Sequence, residues 1–345
     1  MELEQARKLW QPQPGWLNTA SYGLPPEPGW AAVQEALADW RMGRTSWEVW
    51  DDATRRSRAA FAALVGVPAT DVAIGSTVSG LLAPVAAALP AGATVVVPEV
   101  EFTSNLFPWL AQVERGVRVR TVPLAGLVDA IDAGTDLVAF SLVQSADGTV
   151  ADYDRIVAAA RAHRALVAVD ATQACGWLPF DAGLADVVAV GAYKWLMGPR
   201  GSALAYLAPA LRERLRPDAA GWYAGEDPFS SYYGPPLRLA RDARRFDQSP
   251  AWFSWVGTAP ALELLAEIGL PAVREHDVTL ANRFLAGLGR PPGNSAIVAV
   301  EVPGAQEKLE RAGIRAAVRT GRVRASFHLY TTEADVDLAL EALAG

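Results

Sequence analysis

Between residues 72 and 207 the chain alternates short apolar runs with longer stretches in which apolar positions recur every three or four residues. The short runs at 72–74, 94–97, 117–122, 137–143, 166–169, 187–190 and 202–207 predict seven strands. The intervening stretches, among them 78–89, 104–114 and 153–163, predict helices. Strands that are almost continuously apolar and separated by helices predict an α/β fold, with a mostly parallel sheet covered on both faces. The alternation breaks over 219–250, where Gly, Pro, Tyr, Trp and Arg crowd together and predict loop and crossover. Beyond it the pattern predicts helices at 259–267 and 272–288, a strand at 296–302, a helix at 306–312, a strand at 322–326 and a last helix from Glu333.

A chain of 345 residues exceeds the usual single core. Residues 16–235 are read as a large α/β domain, with 1–15 and 236–345 as a smaller α+β domain. The proline-rich segment 12–28 is expected to pack between them. At 51% hydrophobic and 20% charged, the composition is that of a globular protein. A formal net charge of −7 gives no general electrostatic case for nucleic acid or an anionic membrane as partner. Arginine is locally dense over 238–245, but acidic residues surround that stretch, and it reads as a solvated or interface segment. Cys175 is the single cysteine, which excludes an intramolecular disulfide and a thiolate metal cluster; the three histidines have no metal-ligand spacing, so no metal is expected. No run reaches the roughly 20 apolar residues of a membrane span, and residues 1–10 lack an export core, so the expected location is cytoplasmic.

Candidate chemistry lies at the ends of predicted strands, where open α/β sheets bind ligands. Only three lysines occur, and Lys194 follows the apolar run 185–192. A desolvated lysine favours its neutral amine and becomes a nucleophile toward an aldehyde. Asp170 ends the run 165–169, where a carboxylate can pair with a cationic ring nitrogen. Gly75-Ser76-Thr77 closes one strand and opens a helix, so its hydroxyls and free N–H groups suit an anion. An amine for an aldehyde, an acid for a pyridinium and a cradle for a phosphate are what pyridoxal phosphate requires.

The order and spacing of Val169-Asp170-Ala171-Thr172-Gln173-Ala174-Cys175-Gly176, Ala185-Asp186 and Tyr193-Lys194-Trp195-Leu196-Met197-Gly198-Pro199-Arg200-Gly201 resemble the class V aminotransferase family. That family belongs to the fold type I pyridoxal-phosphate enzymes and includes cysteine desulfurases, kynureninases and isopenicillin N epimerase-like proteins. The resemblance runs from Leu17-Asn18-Thr19-Ala20-Ser21-Tyr22-Gly23 to Tyr330-Thr331-Thr332-Glu333. It implies that Lys194 carries the cofactor as a Schiff base and that Asp170 pairs with the ring nitrogen. It further implies that Gln173 bonds the phenolic oxygen and that Ser76 and Thr77 hold the phosphate. Arg324 would clamp the substrate carboxylate, with Arg319 as the competing candidate. Phe102 takes the place where desulfurases stack a histidine on the ring. Tyr193 and Trp222 could bond the phosphate, although Trp222 reads equally well as a packed loop aromatic. A homodimer with shared sites is implied, with Ser249 reaching the other subunit's phosphate. The aromatic pairs Trp47/Trp50 and Tyr232/Tyr233 are left open between pocket lining and packing.

Departures from the family pattern narrow the chemistry. The segment that would carry a desulfurase nucleophile is missing, because Gly321 runs directly into Arg322. Cys175 is expected at the start of a helix, packed and unable to substitute. Phe102 stacks but transfers no proton, which leaves Lys194 as the leading proton shuttle. The expected activity is therefore Cα deprotonation of an α-amino acid leading to transamination. The alternatives are β-elimination, as in kynureninase-like enzymes or the carbon–sulfur lyases of thiohistidine biosynthesis, and epimerisation. A non-catalytic regulatory protein with a residual site is disfavoured by the intact Lys194, Asp170 and Gln173.

Overall fold

The computed structural model describes residues 1–344. Seven strands form the large sheet: β1 (Val72–Gly75), β2 (Thr94–Pro98), β3 (Arg118–Val122), β4 (Leu137–Ser141), β5 (Leu166–Asp170), β6 (Val187–Gly191) and β7 (Ala203–Leu207). Their spatial order is β1-β7-β6-β5-β4-β2-β3. Only β7 runs against the others, pairing antiparallel with both β6 and β1. The carboxyl ends of β1, β4, β5 and β6 consequently share one rim, and the register sets Ser141 beside Asp170 and Asp170 beside Ala189. All seven predicted strands form, each within two residues of the expected limits.

Alternate residues of each strand feed opposite cores, as a sheet covered on both faces requires. Val95, Val97, Ala139, Ala168 and Ala189 face one apolar layer together with Leu81, Leu82 and Trp109. Val96, Val138, Phe140, Val169, Val188 and Val190 face the other, with Ile156, Trp255 and Leu262. Helix Val78–Ala87 supplies Leu81 and Leu82 on the first side, and helix Trp252–Ile268 supplies Trp255 and Leu262 on the second.

Two long helices fall where the apolar pattern predicts none. Pro26 and Gly43, the latter left-handed at φ 65°, bound Glu27–Met42, and Trp47–Val65 follows. Both pack against Trp252–Ile268, which begins seven residues earlier than its apolar spacing suggests. These helices interleave Trp, Asp and Arg with alanine, so their buried stripe is narrow and mixed. Trp47 stacks on Trp252 at 5.4 Å between ring centroids and touches Trp222 and Phe229, while also lining a second cavity with Asp51 and Tyr223, apart from the one at the sheet rim.

A second sheet, ordered β8 (Ile297–Val300), β10 (Arg322–Ser326), β9 (Ala317–Arg319), is antiparallel throughout. Its apolar side meets Phe284 of helix Leu270–Gly287 and Val336 and Ala339 of helix Glu333–Ala344. Strand β9 is absent from the sequence expectation because its three residues are too few to show a period. Thr320 (φ 48°) and Gly321 (φ 78°) make the two-residue turn between β9 and β10, the left-handed pair that a tight hairpin demands.

The opening segment joins the two sheets. Leu17 donates to Arg315 O and its own carbonyl accepts from Ser326 N, whereas Gly23 N donates to Tyr193 O.

Candidate active site

A cavity of about 240 Å³ lies at the shared rim. Ser76, Thr77, Phe102, Asp170, Gln173, Tyr193 and Lys194 all line it. Seven residues scattered over more than a hundred positions thus meet in one space.

Lys194 stands three residues beyond β6, on a turn too tightly packed for its amine to be well hydrated. Burial pulls its pKa from 10.5 to about 8, opposed by Asp170 and assisted by Arg324, Arg319 and Arg200. Its Nζ lies 5.2 Å from the Phe102 ring centroid and 5.7 Å from that of Tyr193. Asp170 is the last residue of β5; its Oδ1 accepts the Thr172 N–H at 2.8 Å. Its Oδ2 takes no hydrogen bond from the described residues and can meet a ligand. Burial pushes the Asp170 carboxyl above its usual range, so a cation placed beside it would hold it ionised.

Thr77 caps helix Val78–Ala87 by accepting from Gly80 N at 3.1 Å. The first-turn N–H groups of that helix, at Val78 and Ser79, have no intrahelical acceptor, and both residues line the cavity. An electropositive helix start, a buried amine, an open buried carboxylate and an aromatic face fit the phosphate, aldehyde, ring nitrogen and ring of pyridoxal phosphate respectively.

Gln173 is more committed than its expected role requires. Its Nε2 donates to Ala20 O and Ser145 Oγ, and its Oε1 accepts from Trp195 Nε1 at 2.8 Å. A bond from Nε2 to a phenolic oxygen would displace one of these partners. Arg324 is fully buried on β10, donating to Ser145 O, Ser145 Oγ and Ser21 Oγ. Burial, with Arg319 nearby, lowers its pKa to about 10, which still leaves it charged at neutral pH. Arg319 is exposed on β9 and bonds its neighbour's carbonyl.

Trp222 lies outside this cavity. It packs against Trp47, Tyr223 and Tyr232, and the aromatic crowding around Trp47 holds it there. Ser249 is exposed and likewise outside; two residues earlier, buried Asp247 pairs with Arg58 and accepts Ile74 N, closing the free edge of β1. Cys175 is buried in a turn rather than at a helix start, and burial pushes its thiol up to about 12.

Several residues of the site escaped the sequence reading. Glu101 is buried beneath the cavity floor, accepting Ser141 N, Ser141 Oγ, Gln144 Nε2 and Phe102 N, which fixes Phe102 at the start of its helix. Ser145 joins Gln173 to Arg324, and its place just past β4 is the signal that would have found it. Arg200 lines the cavity with its guanidinium 4.8 Å from the Tyr193 ring centroid.

Fold and site together define a fold type I pyridoxal-phosphate enzyme. The "Aminotransferase class-V" family model matches residues 41–307, and the chain belongs to that family. It is 30% identical to the uncharacterized aminotransferase YcbU of Bacillus subtilis, over 95% of this chain and 93% of that protein. It is 29% identical to isopenicillin N epimerase of Streptomyces clavuligerus, over 84% of each. Its fold matches that of the cystine C–S lyase C-DES with a TM-score of 0.86, at 21% identity, over 96% and 97% of the two chains. A variant of C-DES carries glycine covalently linked to its pyridoxal-phosphate cofactor.

Proposed function

We propose that this enzyme removes the Cα proton of an α-amino acid with Lys194 and completes a transamination. Bound pyridoxal phosphate supplies an aldehyde carbon for the substrate amine and a ring that withdraws electrons from Cα. Asp170 keeps the ring nitrogen protonated, because a cation beside its free Oδ2 is better solvated by that carboxylate than by the surrounding apolar layer. Ser76, Thr77 and the first turn of helix Val78–Ala87 hold the phosphate. Phe102 covers one ring face and excludes water. Arg324 offers the substrate carboxylate a fixed planar fork, pre-set by Ser21 and Ser145.

The observation that carries the reading is the pairing of a depressed Lys194 with a neighbourhood poor in other proton carriers. Phe102 has no exchangeable proton, and burial raises Tyr193 above its ordinary range. Lys194 Nζ is therefore the group that takes the Cα proton and delivers it elsewhere. Persulfide chemistry is disfavoured by the two-residue turn at Thr320-Gly321, which has no room for a cysteine-bearing loop, and by the buried Cys175.

Elimination of a Cβ substituent uses the same first proton transfer, and the fold shared with C-DES favours it as the second reading. A single-turnover absorbance experiment separates the two. Holoenzyme is mixed with L-amino acids and S-conjugates without any 2-oxo acid. Bleaching of the cofactor band in one equivalent, reversed by an added 2-oxo acid, supports transamination. A persistent band with accumulating ammonia and 2-oxo acid supports elimination. Proton exchange at Cα with inversion and neither product would instead mark an epimerase.

We further propose that the enzyme works as a cytoplasmic homodimer. Trp30, Trp40, Met42 and Phe107 are each more than half exposed, and large apolar side chains left to water favour burial against a second copy.

A further inference from the structure

The lysine turn is held at three successive carbonyls. Tyr193 O accepts from Gly23 N at 3.0 Å and Lys194 O accepts from Met197 N at 3.0 Å. The third, Trp195 O, is met by a side chain from the other sheet: His328 Nε2 at 3.0 Å. A carbonyl only accepts, so Nε2 must carry a proton. His328 Nδ1 faces Asp277 Oδ2 at 2.8 Å, and both side chains are wholly buried. One further proton lies between Nδ1 and Oδ2, so the pair is neutral overall whichever atom holds it, which makes its burial tolerable. Gly176 closes the other side of Trp195 O, where a Cβ would stand 2.5 Å from that oxygen. The carbonyl is thus crowded by Gly176 as well as bonded by His328.

His328 also shares its strand face with the carboxylate clamp. Arg324, Ser326 and His328 alternate along β10 and its extension, and all three are buried. Arg324 reaches Ser145 and Ser21, Ser326 Oγ takes Ala20 N at 2.9 Å, and His328 reaches the lysine turn.

We infer that His328, oriented by Asp277, is a positioning residue for Lys194, and that one face of β10 sets the substrate-carboxylate site and the lysine at a fixed mutual distance. The histidine touches neither substrate nor cofactor. It acts by fixing the carbonyl next to the lysine, so that the amine cannot drift from the line between Cα and the cofactor. The inference rests on Lys194 being the cofactor-bearing amine.

Two polar substitutions separate reach from burial. His328→Gln places its amide nitrogen near the former Nε2 and still reaches Trp195 O. His328→Asn places its amide near the former Nδ1, keeps Asp277, and falls short of Trp195. The first readout is the rate at which apo-protein takes up pyridoxal phosphate, followed by the visible absorbance of the bound cofactor. The second is the separation of kcat from KM for the amino acid. His328→Gln should stay within about threefold of the parent in both uptake and kcat. His328→Asn should lose about tenfold or more in both, with KM within about twofold, the scale expected when a reacting group is misplaced. Gln and Asn variants equal to one another, whether both active or both impaired, overturn the inference. Lys194→Ala serves as the control: if it still develops the parent's cofactor absorbance, the assignment of Lys194 fails, irrespective of how the two His328 variants rank.

Discussion

The two ends of the cavity are built by different means. At the cofactor end, Ser76, Asp170 and Lys194 each stand at or just past a strand of one sheet, and strand register alone brings them together. At the substrate end, Ser145 and Arg200 line the cavity, and buried Arg324 is tied to it through side-chain hydrogen bonds to Ser145 and Ser21, all four residues coming from separate segments. The first arrangement is rigid because a sheet is rigid. The second depends on how the small sheet sits against the large one, so its tolerance to substitution should be greater and its effects more selective.

The largest effect should come from the cofactor end. Lys194→Ala removes the group that moves the proton, and turnover should fall by a factor of 10³ or more on the order of general-base losses. Stopped-flow or discontinuous product assays check this, and a variant with parental turnover would break the contrast outright. Asp170→Asn keeps the shape and the bond from Thr172 but loses the charge. Cofactor affinity should change less than kcat, which should fall by about 10²-fold, an electrostatic loss of the size seen when a preorganised group is neutralised.

The substrate end should respond in KM. Arg324→Ala deletes a buried, charge-assisted clamp, with an expected loss of about 1.5–3 kcal/mol, or roughly 10- to 150-fold in KM. Cofactor uptake should be nearly unaffected. Arg319→Ala removes an exposed charge and should cost less than about 1 kcal/mol. Steady-state kinetics on the two variants side by side decides between them. A larger KM effect at Arg319 would transfer the carboxylate to that residue.

The same contrast explains which parts of the fold and site are legible in the sequence. The strand-end groups were legible because a near-continuous apolar run followed by Asp170 or by Tyr193-Lys194 has few interpretations in an α/β sheet. The seven strands and helix Tyr153–His163 were legible for the same reason. Arg324 was found through the family resemblance, since no periodicity separates a clamp from a strand arginine. Glu101 and the Asp277–His328 pair are not legible, because their meaning lies in contacts across 40 to 133 residues of chain or in a backbone carbonyl. Ser145 has a strand-end position, but its tie to Arg324, 179 residues on, does not show in sequence. Trp222 is ambiguous in sequence because an aromatic after a glycine looks alike whether it binds a phosphate or packs beside Trp47, as it does here. The helices Glu27–Met42 and Trp47–Val65 are not legible because the first buries only Gly29 and Ala36 and the second mixes Thr54, Ser57 and Arg58 with Phe61 and Val65 on its buried face, both completed by packing on Trp252–Ile268.

The smallest effect tests whether the two ends are electrically joined. Uptake of pyridoxal phosphate by apo-protein needs the neutral Lys194 amine, whose pKa burial lowers from 10.5 to about 8. The uptake rate should therefore rise about tenfold per pH unit below that midpoint and level off above it. Arg324, Arg319 and Arg200, in decreasing order, add to the depression because a like charge nearby disfavours the ammonium. Replacing any of them by a neutral residue should move the midpoint upward, with Arg324 giving the largest displacement and Arg200 the smallest. The Arg324 substitution also admits water to the amine, which acts in the same direction. Arg200 is exposed, so its share should vanish in about 1 M salt, where the screening length falls to roughly 3 Å. Buried Arg324 should keep most of its effect there. If the midpoint stays put in all three variants, the lysine is tuned by burial alone and the cavity's two ends are independent; a graded, partly salt-resistant displacement would mean that the substrate end sets the readiness of the cofactor end before either ligand arrives.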